Sequence, residues 1–134
     1  MLTDQGLRAA LEALAMRTPL PIEIDLPADR LPAPIEAAIY YVISESLANV
    51  VKYASATSVD VRVEAGEDWV TVTVSDDGVG GADPTRGTGL NGLSDRVAAL
   101  DGTLRVDSRP GEGTRISAEM PVDFIQTTAV DSSQ

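Results

Sequence analysis

The stretch SDDGVGGADPTRGTGLNGL, residues 75–93, constrains this chain more than any other. It has the glycine density of a phosphate-binding loop, yet it opens on two aspartates, Asp76 and Asp77, which repel phosphate. The two halves therefore suit different partners. An ionised aspartate only accepts hydrogen bonds, so its natural ligand is a donor such as the exocyclic amine of adenine. Gly78 and Gly80 let the backbone come close to a flat ring. An Asp-Gly hairpin turn is the plainer alternative, but a tight turn needs neither repeated glycines nor so long an excursion before the next element. The second half, GTGLNG from Gly87 to Gly92, runs directly into a helical pattern. Free N–H groups at a helix start favour an anion, which makes this half the place for phosphate.

GTGLNG also fits the G-x-G-x-x-G dinucleotide fingerprint, with Asp107 at the expected distance downstream. That fingerprint requires a strand immediately before its first glycine. Here the loop ADPTR precedes Gly87, and the chain has no room for a doubly wound sheet. A P-loop is excluded because there is no G-K-[ST].

The remaining pattern predicts the frame. TDQGLRAALEALA, Thr3 to Ala15, places Leu7, Leu11 and Leu14 on one helical stripe, with Thr3 as candidate N-cap and Gly6 weakening the first turn. IEIDL, Ile22 to Leu26, alternates as a strand. A proline-punctuated loop delivers a long helix over about Ile35 to Ala54. SVDVRVEA and WVTVTVS alternate as an antiparallel hairpin. GLSDRVAALDG reads as a helix with Gly102 as its C′ glycine. TLRVDS and TRISAEMPV are two further strands around the turn RPGEG, and TTAVDSSQ is a tail. The prediction is an α/β two-layer sandwich, a mixed and mostly antiparallel sheet of about five strands with three helices on one face.

Composition narrows the function. The 134 residues make one domain, and an aromatic fraction of 4% leaves the core to Val, Ile, Leu and Ala. A net charge of −11 argues against a nucleic-acid face, which needs clustered Lys and Arg. No apolar run approaches a membrane span and no secretory leader is visible. With neither cysteine nor histidine, the chain has no thiolate or imidazole chemistry and cannot itself carry a phosphohistidine.

On the long helix, Glu45, Asn49 and Lys52 stand at i, i+4 and i+7, one narrow stripe beside the apolar face. Asn is a poor mid-helix residue, and here it lies between an acid and the single lysine of the chain. The stripe reads either as a solvated face with weak side-chain pairing or as a ligand site.

Together, ESLANVVKYA, SDDGVGG, GTGLNGL and GEGTRISAEMP resemble, in this order, the N box, the two glycine boxes and the closing strand of the ATP-binding domain of bacterial sensor histidine kinases. That domain has the GHKL, or Bergerat, fold. The resemblance covers Leu2 to Val122. The short lid and the lead-in LTDQGLRAALEAL with TPLPIEIDLP are most similar to the nitrate-sensor and DesK-like kinases.

The resemblance implies specific roles. Asp76 accepts from the adenine amine, with Thr114 supporting it through water. Gly78 and Gly80 shape the adenine pocket. Asn49 holds Mg²⁺ together with the phosphates, Glu45 helps order the metal and the acceptor site, and Lys52 lies near the phosphates. Residues Gly81 to Gly89 form the lid, and the backbone of Gly87, Thr88, Gly89, Leu90 and Gly92 holds phosphate oxygens. The cofactors are ATP and Mg²⁺. The partner is a histidine-bearing dimerisation domain outside this chain, with a response regulator reached indirectly.

Residues 1–20 are expected to be a lead-in helix and linker from that region, 21–122 the catalytic domain and 123–134 a flexible tail. The expectation is a cytoplasmic monomer as this stretch alone, without nucleic-acid or direct membrane contact, the whole protein being either membrane-tethered or free. Tyr53 departs from the subfamily, which has histidine there. A serine kinase of the anti-sigma type and a non-catalytic regulatory module share the fold and remain alternatives.

Overall fold

Alternating valines build the sheet. The computed structural model describes residues 6–27, 31–51, 56–78, 90–108, 111 and 113–121, with Leu90 and Asn91 described by backbone alone. In chain order the elements are α1 (Gly6–Arg17), β1 (Ile22–Asp25), α2 (Ala33–Asn49), β2 (Val59–Ala65), β3 (Trp69–Asp76), α3 (Leu90–Ala98), β4 (Thr103–Ser108) and β5 (Thr114–Pro121). The five strands lie in the order β1-β2-β3-β5-β4. β1 runs parallel to β2, and every other neighbouring pair is antiparallel. The predicted α/β sandwich is therefore observed, with β1 joining as a parallel edge.

Register explains the core. Val61, Val74, Ile116 and Val106 form one cross-strand row, and Val63, Val72, Ala118 and Leu104 the next. Successive strand residues point to opposite faces, so these rows share the side covered by helices. α2 supplies Ile35, Ile39, Val42, Ile43 and Leu47, α3 supplies Leu93 and Val97, and α1 adds Leu7 and Leu11. The core is aliphatic, as the scarcity of aromatics requires. The other sheet face carries exposed Asp60, Arg62, Glu64, Arg105, Asp107, Arg115 and Glu119. Arg62 lies 3.9 Å from both Asp25 and Asp60 there, exposed pairs that add little stability.

Two element ends differ from expectation. The long helix begins at Ala33, after Pro32, and is regular through Asn49; its expected end near Ala54 lies outside the described residues. A widened π-type turn follows at Val50–Val51, a feature frequent at functional sites. Residues 52–55 lie outside the described set, as does Thr3, the expected N-cap of α1. At the end of α3, the left-handed residue is Asp101 (φ 61°), not Gly102. The Gly102 N–H donates to the Val97 carbonyl (2.9 Å) and the Asp101 N–H to that of Ala98 (2.9 Å). This is a Schellman cap with Asp101 at C′ and Gly102 at C″. Glycine is needed at 102 for space, since a Cβ there would stand 2.4 Å from the Glu119 carbonyl oxygen.

Candidate nucleotide site

The covered face of the sheet turns polar at its last row. Val59, Asp76, Thr114 and Ser108 pair across β2, β3, β5 and β4. They follow the parity of the buried valines, so the polar three face the helical side at the sheet's end. Asp76 is the final residue of β3 and is partly buried. Its Oδ1 accepts from the Gly78 N–H at 2.8 Å. Burial raises the Asp76 carboxyl above its ordinary value of 3.8; the N–H groups of Gly78 and Thr114 work against that rise, and the neighbouring Asp77 charge adds to it. Thr114 Oγ1 and Ser108 Oγ are 2.7 Å apart, so one hydroxyl orients the other.

Gly113 presses on this carboxylate's backbone. Its φ is +80°, and a Cβ would lie 2.2 Å from the Asp76 carbonyl oxygen. Only glycine combines that conformation with that approach. Sequence reasoning used Gly113 merely to mark Thr114; its sequence signal is the GEG preceding a threonine that opens a strand.

On α2, Glu45 and Asn49 are both partly buried and one turn apart. Asn49 Nδ2 and Ser46 Oγ are buried and have no hydrogen-bond partner among the described residues. Each such group costs about 1–3 kcal/mol until something meets it. A 180° turn of the Asn49 amide exchanges its donor and acceptor ends, so it can offer either to a ligand. Tyr41, one turn before Glu45, touches α3. Its ring carries the Arg96 guanidinium at 4.2 Å from the centroid, and its hydroxyl lies 3.8 Å from where a Gly92 Cβ would stand. α2 is thereby set beside the first turns of α3.

Asp77, given no role from sequence, has one here. Its Oδ1 accepts from the N–H groups of Thr57 (2.8 Å) and Ser58 (3.1 Å). Its Oδ2 accepts from the Thr57 hydroxyl and lies 3.5 Å from the Ser58 hydroxyl. The Thr57 hydroxyl, then the N–H groups of Thr57 and Ser58, pull the Asp77 carboxyl down to about 2.

The structure thus gathers Asp76, Gly78 and Thr114 at one end of the sheet, and sets Glu45 and Asn49 on the helix that meets α3 near Gly92. Leu90 is the first residue of α3. Lys52, Gly80, Gly87, Thr88 and Gly89 lie outside the described residues, as do the rest of the lid, Tyr53 and the tail. Ser46, Asp77, Ser108 and Gly113 were missed by sequence reasoning. Among the described residues no group of three or more His, Cys, Asp or Glu could hold a metal. A metal at this site would therefore share its coordination with a ligand, which fits an oxygen-bound Mg²⁺ held by one or two side chains.

Comparison with known proteins supplies the family. Residues 35–123 match the family of histidine kinase-, DNA gyrase B- and HSP90-like ATPases. The oxygen sensor histidine kinase NreB of Staphylococcus carnosus is 38% identical over 100 residues, which are 71% of this chain and 28% of that protein. The sensor histidine kinase ComP of Bacillus subtilis is 31% identical over 131 residues, 90% of this chain and 17% of its own. The chain thus spans less than a third of the length of these relatives. In fold it resembles the histidine kinase domain of the Erythrobacter litoralis EL346 blue-light activated kinase, with a TM-score of 0.73, 23% identity, and coverage of 87% of this chain and 59% of that one. The chain belongs to the histidine kinase-, DNA gyrase B- and HSP90-like ATPase family, as an ATP-binding catalytic domain of the sensor histidine kinase type.

Proposed function

We propose that this domain binds Mg-ATP with adenine against Asp76 and the phosphates toward α3, and presents the γ-phosphoryl group to a histidine on a dimerisation domain of the same kinase. The observation that carries this reading is the partly buried Asp76 carboxylate at the end of β3, which faces the helical side in a row of hydroxyls. It is an acceptor held by backbone donors, with capacity left for the amine of a base. Thr114, oriented by Ser108, supports the same edge.

The metal fits the other half. The unpartnered Asn49 amide, with its carbonyl turned inward, would supply one ligand to Mg²⁺, and Glu45 one turn away would order that ligand sphere. When bound, Mg²⁺ supplies charge neutralisation to the phosphate oxygens. Lys52 lies close to the phosphates in this reading. The N–H groups from Gly87 through Leu90 to Gly92 would donate to their oxygens at the start of α3. Positioning and charge stabilisation suffice for phosphoryl transfer, so the chain needs no nucleophile of its own. The acceptor histidine comes from elsewhere, since these residues include none. Among the described residues no helix is long and apolar enough to cross a membrane.

Calorimetry with Mg-ATP tests the site. Asp76→Ala is expected to abolish binding, and Asn49→Ala to remove its Mg²⁺ dependence while leaving weak metal-free binding. Full-strength binding by the Asp76 variant overturns the adenine assignment. Labelled ATP incubated with this domain and a histidine-bearing dimerisation domain should yield acid-labile phosphate. Acid-stable phosphate on serine would instead assign a serine kinase.

A further inference from the structure

The two edges of the sheet are built differently. Among the described residues, β1 and β4 each have a paired neighbour on one side only. Each therefore turns a row of free N–H and C=O groups outward, a template for another strand. β1 has four residues between Pro21 and Pro27, and its open-face residues are Glu23 and Asp25. Any antiparallel pairing of β1 with itself that keeps both helical layers on one side sets acid against acid. Like charges directly opposite are destabilising, so this edge repels a second copy. β4 has six residues, no proline, and the open-face pair Arg105 and Asp107, both exposed. Leu104 and Val106 continue the apolar cross-strand rows but are only partly buried, whereas Ala118 and Ile116 beside them are buried. A groove of about 600 Å³ at this edge is lined by Arg105, Val106, Asp107, Arg115 and Ser117. Asp107 stands opposite Arg115 in the register, but the Arg115 Nε donates to the Ser75 hydroxyl at 3.4 Å. None of these three charged groups forms an ion pair among the described residues.

We propose that the outer edge of β4 pairs antiparallel with β4 of a second copy of this chain, about a two-fold axis at Val106. Side chains alternate along a strand, so a pairing that keeps both helical layers on one side sets open-face residues opposite each other. Centring on Arg105 opposes two arginines, and centring on Asp107 opposes two acids. Centring on Leu104 leaves Arg105 opposite Thr103. Centring on Val106 sets Arg105 opposite Asp107 of the second copy, twice by symmetry. Each Asp107 then lies between Arg115 of its own copy and Arg105 of the other, so the groove's surplus arginine gains an acid. Val106 meets Val106 of the second copy, and the apolar row continues across the join. The edge is short, below the area of a stable interface, and each copy carries a net charge of −11. The dimer is therefore weak, and the expected monomer is its dilute form.

Sedimentation equilibrium on the 134-residue chain tests this, from about 10 μM to about 1 mM, where weak association becomes visible. Self-association is expected to rise across that range. Arg105→Asp and Asp107→Arg each put like charges opposite at both pairs, and each should weaken association about tenfold. The two reversals shift the net charge in opposite directions, so a general charge effect would move them apart rather than together. Mixed in equal amounts, they restore both Arg–Asp pairs in a heterodimer and should associate as well as the unaltered chain. Thermal unfolding of each variant separates these effects from loss of the fold. Should either reversal fail to fold, Arg105→Gln decides, with an expected weakening of about threefold. Absence of association by the unaltered chain, or equal association of the two reversals alone and mixed, overturns the proposal.

Discussion

Asp76 and Asp77 are adjacent and chemically alike, yet the fold moves their carboxyls in opposite directions. Burial lifts Asp76 above 3.8, and donors hold Asp77 near 2. The folded state therefore holds the Asp76 proton more tightly than the unfolded chain does, so the ionised form is a stability cost at neutral pH. Asp76→Asn is expected to leave resistance to urea equal or higher while removing adenosine binding, the trade common at functional sites. Asp77 runs the other way: its contribution is present above 3.8 and is lost as pH falls through about 2. Adenosine affinity should accordingly begin to fall on acidification at a pH above 3.8, as Asp76 takes up its proton, while Asp77 is still ionised. Calorimetric titrations with adenosine at stepwise lower pH check the order of the two events. Two glycines give a companion test. Gly111 (φ +82°) has nothing within 4 Å of a Cβ, whereas Gly113 (φ +80°) would drive one into the Asp76 carbonyl. Gly111→Ala should cost about 1–2 kcal/mol for the left-handed backbone alone. Gly113→Ala should cost more in the same denaturation assay and should also weaken adenosine, because Asp76 must move.

At the scale of elements, what was legible is what periodicity encodes. Alternation marked β2 and β3 to within a residue of their observed ends, and the stripe of Leu7 and Leu11 marked the buried side of α1. The Asp76 edge was readable because an acidic residue closing an alternating strand, with glycines after it, has few structural excuses. Thr114 was readable only through family resemblance. Ser108 was not, since it meets Thr114 through the β4–β5 register, which depends on the conformation of the turn between them. Nor was the widened turn at Val50–Val51, which no propensity marks. The cap of α3 was misplaced by one residue because Asp101 takes the left-handed conformation usually left to glycine, while Gly102 serves packing. Ser46 is the element-scale prediction. Its hydroxyl is fully buried on α2 and unpartnered among the described residues. Ser46→Ala removes that unmet group and improves helix propensity, so without ligand it should raise unfolding stability by about 1 kcal/mol. Urea midpoints at constant m-value would measure it; a loss of stability would mean the hydroxyl has a partner.

Over the whole molecule, the structural unit exceeds the family match. That match begins at residue 35, yet α1 and β1 lie before it, and Leu7 and Leu11 belong to the same buried cluster as the sheet valines. Residues 1–20 were expected to be a lead-in from another region. The packing makes α1 a wall of this core as well: Leu11 is 0% exposed, and removing the helix would bare the side of α2 it covers. Leu11→Ala should cost about 2–5 kcal/mol, as at other filled leucine sites. A chain starting at residue 21 should lose at least as much while retaining all of the proposed nucleotide-contacting positions. Chemical denaturation of both variants, with Mg-ATP calorimetry on whatever remains folded, separates the two roles. A truncated chain as stable as the intact one would make α1 a lead-in and nothing more. A destabilised chain that still binds Mg-ATP would make it structural, with the nucleotide site complete without it.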